Sequence, residues 1–191
     1  MLDATKALML ERGSEDFTLQ DVSERGAVSI GSIYLRFESK DRLLHAVIAE
    51  ELQNIVKQER EMIEGILAQS SSLADFLPRY VDGYSNFLAT HAQLLRTIMQ
   101  RASLDPAVSK PGRETAQKSA DLSANAILTF RDEIRAKDAE RRAHAVFRIV
   151  FATAARQFGL GSTAESADDV IWNTLKSELS VMALAYLRYE G

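Results

Sequence analysis

From Lys40 to Glu64 the chain carries neither glycine nor proline. Through this run Leu43, Leu44, Val47, Ile48, Leu52, Ile55 and Val56 recur at helical spacing, and Met62, Ile63, Ile66 and Leu67 extend the stripe. One helix of about 28 residues is expected, opened by Ser39 as its cap. A rod of that length can join two domains. Its charged residues, Glu50, Glu51, Lys57, Glu59, Arg60 and Glu61, are expected on a solvated face. The whole chain has 3 prolines and 9 glycines in 191 residues, which leaves room for long helices throughout. An all-α fold of about nine helices follows from the pattern.

The segment before this rod, Val28 to Lys40, carries the clearest chemistry. Ser29 is a good N-cap for a short helix over residues 30–37, because its side-chain oxygen can accept from a free amide of the first turn. Ile33 and Phe37, four apart, share a face with Val28 at its entry, so they dock the helix on its neighbours. Ser29, Ser32, Leu35 and Arg36 are left facing outward, and Gly31 permits close backbone approach. Lys40 falls in the first turn of the next helix, where a cation opposes the dipole unless an anion neutralises it. Free amides plus an ammonium at a helix start suit a phosphate. The pattern reads as a DNA recognition helix.

The preceding residues fit that reading. Leu2 to Arg12 is roughly helical in period, and Gly13 is placed to end the helix. Thr18 and Asp21 are close to a capping box, with Phe17 and Val22 as its hydrophobic staple. A short helix over residues 19–25 and the turn Gly26-Ala27-Val28 complete a helix-turn-helix of about the right length.

Charge limits the mode of binding. The net charge is -4, and the first 45 residues hold 6 Lys+Arg against 8 Asp+Glu. Residues 25–42 are locally positive at +2. Any DNA contact must come from a small shaped patch rather than from bulk charge. There are no cysteines, which excludes disulfides and thiolate metal sites. The start lacks a basic segment followed by an apolar core, so no signal peptide is expected, and no apolar run reaches a membrane span. A cytoplasmic location without membrane contact is expected.

Beyond the rod, Gln69 to Ser72 is a polar break. Asp75 is expected to cap the next helix with Pro78 in its first turn. Phe76, Tyr80, Tyr84, Phe87 and Leu88 form an aromatic stripe that reads either as core or as one wall of a ligand cavity. A separate short helix is expected over residues 91–102, a loop or broken turn over 103–112 around Pro106 and Pro111, and a long helix over 113–135. Tyr80, Tyr84, Arg96, Met99, Asn125, His144 and Phe147 are candidate cavity linings, since each lies near an apolar stripe yet adds polarity or softness. Arg96 suits either an acidic or amphipathic ligand or a wet face. Two final helices, over residues 138–158 and 167–189, carry apolar residues on more than one stripe. Either a homodimer interface of four helices or a larger monomeric core would use both faces.

Thr18-Leu19-Gln20-Asp21-Val22-Ser23, Val28-Ser29-Ile30-Gly31-Ser32-Ile33-Tyr34, Phe37 and Ser39-Lys40-Asp41-Arg42-Leu43-Leu44 resemble the TetR family of bacterial transcriptional regulators. The resemblance covers about residues 2–48. It implies an N-terminal three-helix helix-turn-helix DNA-binding domain over residues 1–48, with the motif at about 19–38. It implies a helical ligand-binding and dimerisation domain over 49–191, whose last two helices form the dimer interface. It implies that Tyr34 and Lys40 hold phosphates and that Gln20, Ser29, Ile30, Ser32, Leu35 and Arg36 face the groove, with Thr18 and Gly31 completing the DNA-facing set. Arg36 has the fork geometry for guanine, while Ile30 and Leu35 offer only apolar contact, for instance to a thymine methyl. Alternatively, Tyr34 packs beside the first helix, and Arg36 pairs with Glu38 or Asp41.

Three departures from the family pattern stand out. Gly26 precedes Ala27 where the family usually has the reverse order, so an altered turn is expected. Ile30 replaces a position often basic or polar. The usual basic lead-in is absent from this sequence, from which weaker non-specific affinity is expected.

The resulting expectation is a dimeric repressor, released from a palindromic double-stranded operator by a small-molecule inducer, with no cofactor and no metal. The alternative is a helical small-molecule-binding module that retains the fold and has lost DNA recognition. An enzyme is not expected: His45, His91 and His144 are scattered, and no Glu-x-x-His pair, hydrolase triad or phosphate loop stands out.

Overall fold

A computed structural model describes residues 1–160 and 169–190. Among these the fold is all-helical: α1 (Leu2–Arg12), α2 (Leu19–Arg25), α3 (Ile30–Arg36), α4 (Lys40–Ala68), α5 (Leu73–Ala102), α6 (Pro106–Leu128), α7 (Ala139–Gln157) and α8 (Asp169–Arg188), with one 3-10 turn at Arg131–Glu133. No strand occurs among the described residues. Gly161 and Ala167, expected at the ends of the last two helices, lie outside the described residues.

The rod expected after Ser39 is α4, 29 residues long. The Arg42 amide donates to Ser39 Oγ at 3.3 Å. Several later boundaries differ from expectation. The helix expected to start at Asp75 begins at Leu73, because the Asp75 amide donates to Ser72 Oγ. Pro78 consequently lies inside the helix rather than in its first turn. No breaker separates Leu88 from His91, so the two helices expected there are one, α5. The expected loop over 103–112 is largely helix. Asp105 Oδ1 accepts from the Ala107 amide at 2.9 Å, which makes Asp105 the cap and Pro106 the first residue of α6, where the missing amide is harmless. At its other end α6 stops at Leu128, short of 135.

By contacts the chain divides into two compact units, residues 1–55 with 93–114, and residues 56–92 with 115–191. In the first, Leu8, Met9, Phe17, Val22, Ile33, Leu43, Leu44, Val47, Ile48, Leu94, Ile98 and Val108 form one buried core. Val28 and Phe37 pack on it half-buried. In the second, Phe76, Leu77, Tyr80, Val81, Tyr84, Ile127, Ala143, Val146, Phe147, Val150, Leu179 and Leu187 are buried. There Arg142 Nη1 donates to the carbonyls of Tyr186 and Tyr189, tying α7 to the end of α8.

Two members of the expected solvated face of α4 are instead buried. Glu51 is buried and paired with Lys6 at 2.7 Å. Glu59 is 1% exposed, and among the described residues no cation pairs with it.

Candidate functional site

The helix-turn-helix is assembled by caps that the sequence specifies. The Asp21 amide donates to Thr18 Oγ1 at 3.1 Å and the Thr18 amide donates to Asp21 Oδ2 at 2.7 Å, a full capping box at the start of α2. These bonds and Arg12, 3.2 Å away, hold the Asp21 carboxyl below its ordinary pKa. At α3 the Ser32 amide donates to Ser29 Oγ at 3.1 Å, and the two hydroxyls meet at 2.8 Å. Between the helices, Ala27 holds φ 47°, left-handed backbone in which an L side chain is strained, while Gly26 keeps an ordinary φ of -87°. A Cβ on Gly26 would sit 2.9 Å from the Val22 carbonyl oxygen and 3.3 Å from Ala4 Cβ. The inverted Gly-Ala order therefore places the side chain at the strained position because the other position has no room for one.

With Ile33 fully buried, α3 turns its other face outward. Tyr34 is 58% exposed and Leu35 92%, and Ser29, Ile30, Gly31, Ser32 and Arg36 are exposed as well. Tyr34 is thus not packed under the first helix. Among the described residues Arg36 has no ion pair: Glu38 lies by Arg42 at 3.9 Å, and Asp41 accepts from Arg101 at 3.0 Å. Thr18 and Gln20 are also exposed, with Gln20 Nε2 donating to Glu24 at 3.0 Å. Lys40 is half-buried. Its ammonium donates to the Glu15 carbonyl at 2.5 Å and lies 4.5 Å over the Phe17 ring. A lysine has three donors, so this anchoring leaves some to offer to a phosphate.

The candidate cavity linings separate. Tyr80, Tyr84 and Phe147 come together in the second unit: Tyr80 and Tyr84 stack at 5.6 Å between centroids, and Phe147 meets Tyr84 edge-on at 5.7 Å. Arg96 and Met99 belong to the first unit and are exposed there. Asn125 is exposed on α6. His144 is half-exposed, bonded to the Glu140 carbonyl at 3.0 Å and to Asp121 at 3.1 Å, and both partners raise its pKa. It borders a surface groove with Glu140, Arg141, Ala145 and Arg148, away from the aromatic trio's buried rings.

A buried polar cluster lies where sequence reasoning placed none. Ser119 on α6 donates to Glu59 Oε2 at 2.5 Å. Glu59 Oε1, the Tyr80 hydroxyl and the Ser123 hydroxyl are buried with no hydrogen-bond partner among the described residues. Ser123 eases the titration of the Tyr80 phenol without closing a bond to it. Burial drives the Glu59 carboxyl up to about 7, partly offset by the Ser119 hydroxyl. A signal did exist: Ile55, Glu59 and Ile63 are successive members of one i, i+4 row, so Glu59 interrupts the apolar stripe itself.

Comparison with known proteins bears on the head and on the fold. Residues 1–47 match the family described as bacterial regulatory proteins, tetR family. No match was found among curated proteins. A Mesorhizobium loti protein assigned to the TetR-family transcriptional regulators superposes with a TM-score of 0.72 at 16% identity, over 97% of this chain and 90% of that one. A transcriptional regulator from Cytophaga hutchinsonii gives 0.71 at 17% identity, over 98% and 96%. A TetR transcription regulator from Haloarcula marismortui gives 0.67 at 16% identity, over 97% and 93%. At these identities the likeness is one of fold. Residues 1–47 carry the sequence pattern of the tetR family of bacterial regulatory proteins, and the chain's fold is similar to those of these regulators.

Proposed function

We propose that the protein is a dimeric, ligand-responsive DNA-binding repressor. Residues 1–48 read a palindromic operator, and residues 49–191 bind a small-molecule inducer and pair two copies. The observation that carries the DNA reading is the outward face of α3. Ser32, Tyr34, Leu35 and Arg36 are all exposed on a helix whose opposite side is anchored by a fully buried Ile33. Hydroxyls, a phenol and a guanidinium on a short rigid helix suit the phosphates and base edges of a major groove. Pairing is supported by the apolar residues exposed on α8, among them Val170, Val181 and Met182, together with Ile149 on α7.

One set of observations favours the second reading, a ligand-binding module without DNA recognition. The head's cations are largely engaged within the chain: Lys6 with Glu51, Arg12 with Asp21, Arg25 with Glu11, Arg42 near Glu38, and Lys40 with the Glu15 carbonyl. Selection of genomic fragments by the purified chain at low salt separates the two. The repressor reading expects a recovered palindrome whose affinity falls with salt and with the inducer. Fragments without a shared palindromic site would assign the protein to the second reading.

A further inference from the structure

We propose that Glu59, with Tyr80, Ser119 and Ser123, is the recognition point for a ligand that carries a protonated amine on a flat apolar body. This deepens the ligand-responsive reading above and rests on it. The four residues come from α4, α5 and α6, and all are buried. Three oxygens of the group, Glu59 Oε1, Tyr80 Oη and Ser123 Oγ, make no hydrogen bond among the described residues. Buried polar atoms are ordinarily paired, and three unpaired ones in the core of one unit weaken it unless a ligand pairs them.

The chemistry of the cluster selects the ligand class. A carboxylate only accepts, so Oε1 calls for a donor, and an anion is repelled. No described Lys, Arg or His forms an ion pair with Glu59, whose titration is governed by burial and by Ser119. The missing partner is a cation. The hydroxyls of Tyr80 and Ser123 can each accept a further N–H. Beside them Phe76 and Tyr80 stack 5.4 Å apart, Tyr84 stacks on Tyr80, and Phe147 meets Tyr84 edge-on. Aromatic faces attract an ammonium and pack against a flat ring. The titratable groups that act on Glu59 from α5 are Tyr80 and Tyr84, and burial pushes both phenols up. From α6 the Ser119 hydroxyl acts on Glu59 and the Ser123 hydroxyl on Tyr80. Glu59 is therefore poised near neutrality, and an amine bound against it would ionise it and release a proton.

The test uses the full-length chain and three probes of one shape: phenethylamine, phenethyl alcohol and phenylacetate, followed by calorimetry. The amine is expected to bind best, with about tenfold lower affinity at pH 6 than at pH 8 and with proton release visible as a dependence on buffer ionisation enthalpy. Glu59→Gln should remove both the preference for the amine and its pH dependence. Ser123→Ala, a smaller change, should weaken the amine while leaving the far-UV spectrum intact. Equal binding of all three probes, tighter binding of phenylacetate, no binding by any of them, or an amine affinity unchanged in Glu59→Gln would each overturn the assignment. DNA binding of the ligand-free chain is measured separately. A lost amine preference with intact palindrome binding sinks this assignment alone. Amine selectivity without DNA binding supports the site and sinks the repressor reading.

Discussion

Arg101 Nη1 donates to Glu15 Oε2 at 2.6 Å, joining the end of α5 to the turn before α2. The same guanidinium reaches Asp41 Oδ1 at 3.0 Å and Asp105 Oδ2 at 3.0 Å, and Asp105 is also bonded to His45 at 2.7 Å. Arg101 thus serves three carboxylates from three chain segments with its side chain 15% exposed. Its removal would leave Glu15, whose Oε1 is already buried without a partner, uncompensated. Arg101→Ala is expected to destabilise the first unit by roughly 2–3 kcal/mol. Urea unfolding followed by hydrogen exchange in α1 and α2 would check this. Arg101→Lys should recover only part of the loss, since a point charge cannot serve three acceptors in a fork.

The Gly26-Ala27 turn gives a prediction with two signs. Ala27→Gly relieves left-handed strain at φ 47° and is expected to stabilise the head by up to about 1 kcal/mol, after the entropy glycine adds to the unfolded chain. Gly26→Ala drives a methyl onto the Val22 carbonyl, which is helix backbone and cannot swing away. A loss of at least about 1 kcal/mol is expected. Thermal melts of the two single variants and of the exchanged pair would show whether the costs separate.

What was legible in the sequence follows from how local each signal is. Thr18-Asp21 and Ser29-Ser32 cap their own helices within three residues, so α2 and α3 stand where the side chains said. The prolines misled because their meaning depends on position. Pro106 after Asp105 is a start signal, not a break, and Pro78 is tolerated inside α5. Periodicity found the stripe of α4 but assigned its carboxylates by charge alone. Glu59 follows Ile55 at the same spacing as Glu51 follows Val47, and only the packing of α5 and α6 against one end of α4 shows it to be buried without a cation. The exposed state of Tyr34 and Arg36 was likewise open until the partners of Glu38 and Asp41 were known.

Glu59 sets a pH dependence of stability. Its folded pKa, about 7, lies above the ordinary value of 4.5. The folded state then holds the proton more tightly than the unfolded state. Stability from this group is complete below pH 4.5 and is lost as pH rises toward 7, by on the order of 3 kcal/mol. Glu59→Gln mimics the protonated form. It is expected to flatten the fall in unfolding free energy between pH 5 and pH 8 and to be the more stable protein at pH 8. Denaturant titrations at several pH values would show parallel curves for the two proteins if Glu59 were instead solvated.

Lys40 and Arg36 should fail in different ways on DNA. Lys40 is anchored by the Glu15 carbonyl and the Phe17 ring, which aims its remaining donors from a helix start. Lys40→Ala is expected to weaken every sequence alike and to lower the salt slope by about 1. Arg36 is exposed beside Leu35 and unpaired among the described residues, the state of a group that reads a base edge. Arg36→Ala is expected to cost about 1–3 kcal/mol at one base pair and to relax preference there. Binding isotherms across a salt series with single-base operator variants separate the two. An unchanged slope for Lys40→Ala would remove it from the phosphate contacts.

The exposed apolar residues of α8 test whether the protein acts as a pair. Val181 and Met182 are 62% and 61% exposed on a helix whose other side buries Leu179, Ala183 and Leu187. A lone surface leucine or methionine means little, but Val170, Val181 and Met182 lie together along one helix, each well exposed. A two-fold partner would cover them, because the same patch on each copy is self-complementary. Met182→Glu places a charge at the centre of such an interface and none in the protein's own core. Sedimentation at micromolar concentration should shift from dimer to monomer while the far-UV spectrum is kept. Operator affinity should then fall about a hundredfold or more, since two half-sites are no longer bound by one particle. A wild-type chain that sediments as a monomer would remove the pairing, and with it the palindrome.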